Sequence, residues 1–133
     1  MTKEELKTFF ELNDKFIEDC HRVCDILNGS KKRHGECENI SYAERFSIED
    51  NSVCWEGDEY WSHGEHEKHC DYFDIEFLTM SDEELLEIVK KENEEFDRKE
   101  EQKKKEKEER EKAKRFAEYE RLKKEFGRND WIV

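Results

Sequence analysis

The first apolar pattern along the chain has the period of an amphipathic helix. Between residues 6 and 27, apolar side chains recur three and four positions apart, with charged or polar positions between them. Thr2 and Glu5 precede this run with the spacing of a capping box, and an Asn-Gly pair follows it as a typical helix end. The sequence therefore predicts an N-terminal helix whose wide apolar stripe packs against another element.

After a polar loop over residues 29–39, the apolar period changes to the alternation of β-strands. The pattern predicts strands over residues 40–48, over 53–55 with an extension toward Trp61, and over 72–78. The polar, glycine-containing stretch over residues 63–69 is predicted to be a connection between strands. A three-stranded antiparallel meander with one face on the first helix is the simplest arrangement.

The last third of the chain has the pattern of one long helix with a charged middle. Ser81 and Glu84 form a second capping box, and an apolar stripe begins after them and ends at Phe96. Residues 97–112 contain no apolar side chain, and Glu and Lys recur there three and four apart. A second stripe precedes Gly127, the predicted helix end. It contains Ala113, Phe116, Ala117, Tyr119, Leu122 and Phe126.

These elements predict an α+β fold. An N-terminal amphipathic helix lies on a three-stranded antiparallel β-meander, and a long charged C-terminal helix follows. The 133 residues divide into a small α+β domain over 1–96, a charged helical extension over 97–127 and a tail over 128–133.

The net charge is divided unevenly along the chain. Of a total of −13, residues 1–80 hold −11, from 20 acidic and 9 basic side chains, and residues 81–133 hold −2. The one basic cluster of the acidic part is residues 31–33. An acidic surface repels phosphate, so we expect no direct binding of nucleic acid. The same charge would attract the basic groove of a protein that handles nucleic acid.

Hydropathy and cysteine usage point to a cytosolic protein. No apolar run approaches the roughly 20 residues that span a bilayer, and the N-terminal MTKEELKTFF lacks a signal-peptide core. We therefore expect no membrane contact. Five Cys is an odd count without a secretory signal, which favours reduced thiols. No cofactor is expected.

Aromatic and acidic residues alternate around the predicted second strand and form the candidate contact site. Aromatic rings supply buried area in an interface and acids steer a basic partner toward them. The predicted partner-binding residues are Trp55, Glu56, Asp58, Glu59, Tyr60 and Trp61. In the alternative interpretation Trp55 belongs to the core and the others cover its edge.

Cys and His residues offer a second, weaker candidate site. His34, Cys37, His66 and Cys70 form two pairs at zinc-like spacings, with His69 as a substitute. The alternative is ordinary loop histidines and free or buried thiols. A Cys70 and His63 pair would need a lowered thiol pKa, and nothing local supplies it. Since no carboxylate pair stands out either, the sequence favours a protein that is not an enzyme.

The long helix has three interpretations. It is a solvated single helix held by Glu–Lys pairs, or its end folds back on its own core, or two copies form a homodimer through its aromatic end. The predicted dimer contacts are Phe116, Tyr119, Leu122 and Phe126. The apolar tag over residues 131–133 is a further candidate for docking.

Three segments of the chain resemble a known group of proteins. YWSHGEHEKHCDYFDIEFLTMSDEEL, a Lys/Glu-rich tract and the closing EYERLKKEF are similar to small accessory proteins of tailed bacteriophages and prophages. The resemblance covers residues 42–126. It implies an accessory role such as inhibition of host defence, including anti-CRISPR activity. We therefore expect a non-catalytic inhibitor of a host defence protein, with a scaffolding dimer and a zinc-stabilised module as alternatives.

Overall fold

The computed structural model describes the backbone of residues 1–129 and the side chains of residues 1–126. Strands β1, β2 and β3 form one antiparallel sheet in that order. Their bounds, with those of the two helices, are α1 Lys3–Leu27, β1 Arg45–Glu49, β2 Ser52–Tyr60, β3 His66–Asp74 and α2 Asp82–Asn129. The predicted α+β fold is confirmed. The chain forms two compact units, Met1–Glu94 and Glu95–Val133.

Helix α1 buries only the second half of its apolar stripe. The capping box forms as predicted, because Thr2 Oγ1 accepts from the Glu5 amide at 3.0 Å and Glu5 accepts from the Thr2 amide at 3.3 Å. Side chains near the helix end are buried, whereas every residue from 1 to 15 is exposed. The buried ones are Cys20, Val23, Cys24 and Leu27. Within the first unit, the expectation that the stripe packs on another element therefore holds for its second half only.

The sheet covers this part of α1 with the face that carries Val53, Trp55 and Phe73, all of which belong to the core. Strands β2 and β3 pair over nine residues, from Ser52 opposite Asp74 to Tyr60 opposite His66. Successive side chains alternate between the core face and the outer face. This register determines which side chains of β2 and β3 lie close enough to contact each other.

Three predicted boundaries of the strands are wrong. Residues 40–42 form a 3₁₀ turn before β1. The polar stretch predicted as a connection contains the first residues of β3, because main-chain pairing with β2 does not require apolar side chains. The predicted third strand ends early, because the Asp74 carboxylate accepts from the Glu76 amide at 2.9 Å and starts a 3₁₀ turn over Ile75–Thr79.

Helix α2 begins at its predicted capping box, where Ser81 Oγ accepts from the Glu84 amide at 3.2 Å. Leu85 and Val89 enter the core one and two turns later. The helix does not end at Gly127 as predicted, and its backbone remains helical through Asn129. Residues 131–133, the predicted apolar tag, lie outside the described residues, as does most of the predicted tail.

Two residues of the predicted basic cluster at 31–33 pair with one carboxylate of α2. Arg33 donates two hydrogen bonds to the Glu92 carboxylate, at 2.9 and 2.8 Å, and Lys32 lies 3.3 Å from the same group. Burial alone would raise the pKa of Glu92, but the hydrogen bonds and charge of Arg33 hold it below its usual range. Arg22 likewise pairs with Asp82 at 2.6 Å. These pairs hold basic side chains against carboxylates and leave the net charge of the unit unchanged.

The second unit consists of the part of α2 from Glu95 onward. Its charged stretch forms ion pairs three and four residues apart, such as Lys99 with Glu95 at 3.1 Å and Lys103 with Glu100 at 3.7 Å. The four predicted dimer contacts, Phe116, Tyr119, Leu122 and Phe126, are all exposed in this unit. Among the described residues, neither helix is long and apolar enough to cross a bilayer.

Candidate functional site

Strands β2 and β3 are joined by a short turn that presents two large rings. The backbone closes on itself because the Trp61 amide donates to Glu65 O at 2.9 Å and the Gly64 amide donates to Trp61 O at 3.1 Å. Gly64 has φ +89°, a conformation that side chains rarely adopt. We call residues 60–66 the hairpin tip.

The rings of the hairpin tip are exposed and stacked on histidines. Tyr60 is 73% exposed and its ring lies 5.5 Å from the ring of His66. Trp61 is 40% exposed and stacks on His63 at 6.4 Å, while His63 Nε2 lies 3.2 Å from Glu65. These contacts restrict the side-chain conformations that the two exposed rings can adopt.

The predicted partner-binding residues are divided among three surroundings. Trp55 is 1% exposed, so its assignment to the contact surface is wrong and the core alternative is correct. Glu56 and Asp58 lie on the outer face of the sheet, where Lys68 approaches Glu56 at 3.3 Å and Arg45 approaches Asp58 at 3.0 Å. The strand alternation sends Glu59 to the opposite face, and Tyr60 and Trp61 occupy the hairpin tip.

Behind the hairpin tip lies a polar cluster that the sequence reasoning missed. His69 is 3% exposed, its Nε2 lies 2.9 Å from a Glu59 oxygen, and the Tyr42 ring stacks on it at 4.7 Å. The hydrogen bond from His69, followed by that from Tyr42, lowers the pKa of Glu59. The hydrogen bond between Tyr42 and Glu59 raises the pKa of Tyr42.

Gly57 makes this cluster possible. It is the β2 partner of His69, and a Cβ built at Gly57 would lie 1.5 Å from the Tyr42 carbonyl oxygen. Only glycine allows the Tyr42 backbone to pass so close to the sheet. A glycine inside an alternating strand was the available signal, since it marks a close backbone approach.

The predicted zinc ligands are not brought together. His34 Nε2 contacts Asn28 O at 2.6 Å, His66 stacks on Tyr60, and Cys37 meets Cys70 only through a backbone hydrogen bond of 3.1 Å. Within residues 1–126, the group whose ligand atoms lie within 4.8 Å of one another is Glu59, Glu67 and His69. Its chemistry suits a divalent cation by ligand type, but His69 Nε2 is already bonded to Glu59.

The thiols of the core are poor nucleophiles. Burial raises the pKa of Cys20 and of Cys24 to about 12, and burial also raises the pKa of Cys54. The thiolate is the reactive form of cysteine, so a raised pKa lowers the reactivity of these thiols at neutral pH. His63, the residue considered as a general base for Cys70, contacts Glu65 and Trp61.

Comparison with protein-family models, curated proteins and solved structures found no match to this chain. The phage resemblance therefore stays a hypothesis. The fold and the site define a small α+β protein that displays an acidic hairpin with two exposed rings.

Proposed function

We propose that the protein is a non-catalytic binding protein whose hairpin tip contacts a basic surface on a protein that handles nucleic acid. The observation that carries the proposal is the hairpin itself. From Glu56 to Glu67 it holds five carboxylates and no Lys or Arg, and the exposed rings of Tyr60 and Trp61 stand at its end. Lys68 and Arg45 pair with Glu56 and Asp58 on the outer face, whereas the tip itself combines the exposed rings with the acidic Glu65. Exposed rings beside acidic side chains fit an interface centre with a steering rim.

The rest of the first unit supports this assignment through its charge. The guanidinium groups of Arg22, Arg33 and Arg45 all pair with carboxylates, so they offer little positive charge to a ligand. An acidic body of this kind is repelled by phosphate and attracted by the grooves that normally hold it. Competition with nucleic acid for such a groove is the mode of action we propose.

The biological setting of the proposal follows the resemblance given above. A phage-encoded inhibitor of a host defence system, of the anti-CRISPR type, would act in the host cytosol and need no catalysis. The raised pKa values of the core thiols support the non-catalytic part. Cys20, Cys24, Cys37, Cys54 and Cys70 are all free, which suits a reducing compartment.

Affinity capture from a bacterial host lysate tests the proposal. At low salt we expect capture of a protein with a basic groove, its release by a DNA oligonucleotide, and loss of capture at high salt. The variant Tyr60→Ala, Trp61→Ala should weaken binding of that protein about 30-fold or more, the effect of removing interface hot spots.

A matched control separates the hairpin tip from other exposed rings. Tyr72→Ala removes an aromatic ring that is about half exposed on β3 of the same unit, outside the hairpin tip. We expect this control to capture the protein as the wild type does. Capture that survives the change at Tyr60 and Trp61 but fails with the control would refute the proposed site.

A scaffolding function remains the second candidate, because one specific surface favours it. Phe116, Tyr119, Leu122 and Phe126 lie within one face of the helical second unit and are all exposed. Sedimentation of the wild type beside Phe116→Glu, Leu122→Glu decides this candidate. A dimer that the variant abolishes would support it, and monomers in both samples would eliminate it.

A further inference from the structure

The first half of α1 carries an apolar face that no part of the first unit covers. Its side chains are roughly half exposed, although they continue the stripe that enters the core at Cys20. The exposed members are Leu6, Phe9, Phe10, Leu12 and Ile17. We propose that this face binds the same face of a second copy in an antiparallel pair of α1 helices.

The arrangement of charge along α1 favours a helix as the occupant. In a heptad with Leu6 and Asn13 at position a, Phe9 and Phe16 fall at d, with Phe10 and Ile17 at e and Leu12 at g. Every charged residue from 6 to 18 then falls at b, c or f, away from the seam. These residues are Lys7, Glu11, Asp14, Lys15 and Glu18.

The core of the protein itself selects the antiparallel direction. From Cys20 onward the same stripe faces its own sheet, so a parallel partner would run into that core. The core-facing part of an antiparallel partner helix instead lies beyond residue 1 of the first copy. The partner helix overlaps residues 3–19, where Phe16 is partly buried against the first copy's own core and the other apolar side chains are exposed. Its Lys3 lies level with Asp19, one residue before the fully buried part begins.

This register makes the face self-complementary, as a two-fold dimer requires. Leu6 of each copy faces Phe16 of the other, and Phe9 faces Asn13. Phe10 and Leu12 each approach their own equivalents on opposite sides of the axis. The pairing therefore covers Leu12, which lies off the main stripe and is 61% exposed.

The area of the face agrees with what a dimer needs. Five side chains of this size, each about half exposed, present on the order of 400 Å² of apolar surface per copy. A standard interface buries about 800 Å² per partner, of which somewhat more than half is apolar. The proposed pair therefore has the apolar area of an ordinary specific interface.

Sedimentation equilibrium of the full chain tests the pairing. The wild-type mass should rise with concentration from 16.3 kDa toward twice that value. Leu12→Glu should weaken self-association at least about tenfold, because two like charges would meet near the axis. The matched control Leu86→Glu places the same change at a leucine of similar exposure on α2 and should leave association unchanged.

Cross-linking tests the direction of the pair. In a Cys37→Ser, Cys70→Ser background, which removes the exposed thiols, Leu12→Cys should form a disulfide-linked dimer under mild oxidation by diamide. Leu6→Cys should not, since its equivalent lies far along the partner helix. A monomer at all concentrations, equal cross-linking of both variants, or a dimer that only Phe116→Glu, Leu122→Glu disrupts would each overturn the proposal.

Discussion

Gly57 is the position where one added methyl group has the clearest consequence. Its Cβ would overlap the Tyr42 carbonyl, a backbone atom that moves only with its segment. We expect Gly57→Ala to cost about 3 kcal/mol or more in the free energy of unfolding. Gly35→Ala, whose Cβ would meet nothing closer than 3.8 Å, is the control and should change it little. Urea denaturation of both variants checks the prediction, and equal stabilities would contradict it.

Glu92 should couple stability to pH. Its pKa is lowered in the fold, so its stabilising effect is present above the unfolded value near 4.3 and disappears as pH falls through the folded value. We expect Glu92→Gln to cost about 2–3 kcal/mol at neutral pH, since Arg33 loses a charged partner. The deficit should shrink in acid. Glu87→Gln, on an exposed part of α2, serves as control in urea titrations at both pH values.

Helices α1 and α2 begin with equivalent capping boxes, but the two caps should differ in their effect on stability. The first turns of α2 pack into the core, so Ser81→Ala should cost about 1 kcal/mol of global stability. The first turns of α1 are exposed in the single chain, so in dilute, monomeric protein Thr2→Ala should only fray that end and leave the global unfolding midpoint nearly unchanged. Equal shifts for the two variants in dilute protein would contradict this prediction.

The elements that the sequence predicted correctly are those with strong local signals. Both helix starts have capping side chains three residues apart, and α1 has the clear period of an amphipathic helix. The start of β3 was missed because its residues there are polar and its pairing is made by the backbone. The cluster at His69 was missed because it depends on a register that brings Gly57 beside it.

Within the first unit, periodicity predicted which side of α1 is apolar but not how far the core extends along it. The core covers the stripe partly at Phe16 and fully from Cys20 onward, although the α1 pattern itself does not change there. The sequence predicted the positions of the candidate contact residues only in part, for a similar reason. Strand alternation separates Glu59 from Asp58 and sends Trp55 inward, and the sequence alone did not fix that phase.

The central claim is that the hairpin tip is the surface that meets the partner. Hydrogen-exchange mass spectrometry of the full chain, free and bound to the captured protein, tests it without altering any residue. We predict that exchange slows on binding in the peptide that contains residues 60–66. Unchanged exchange there, with protection only over residues 3–19 or 113–126, would contradict the account.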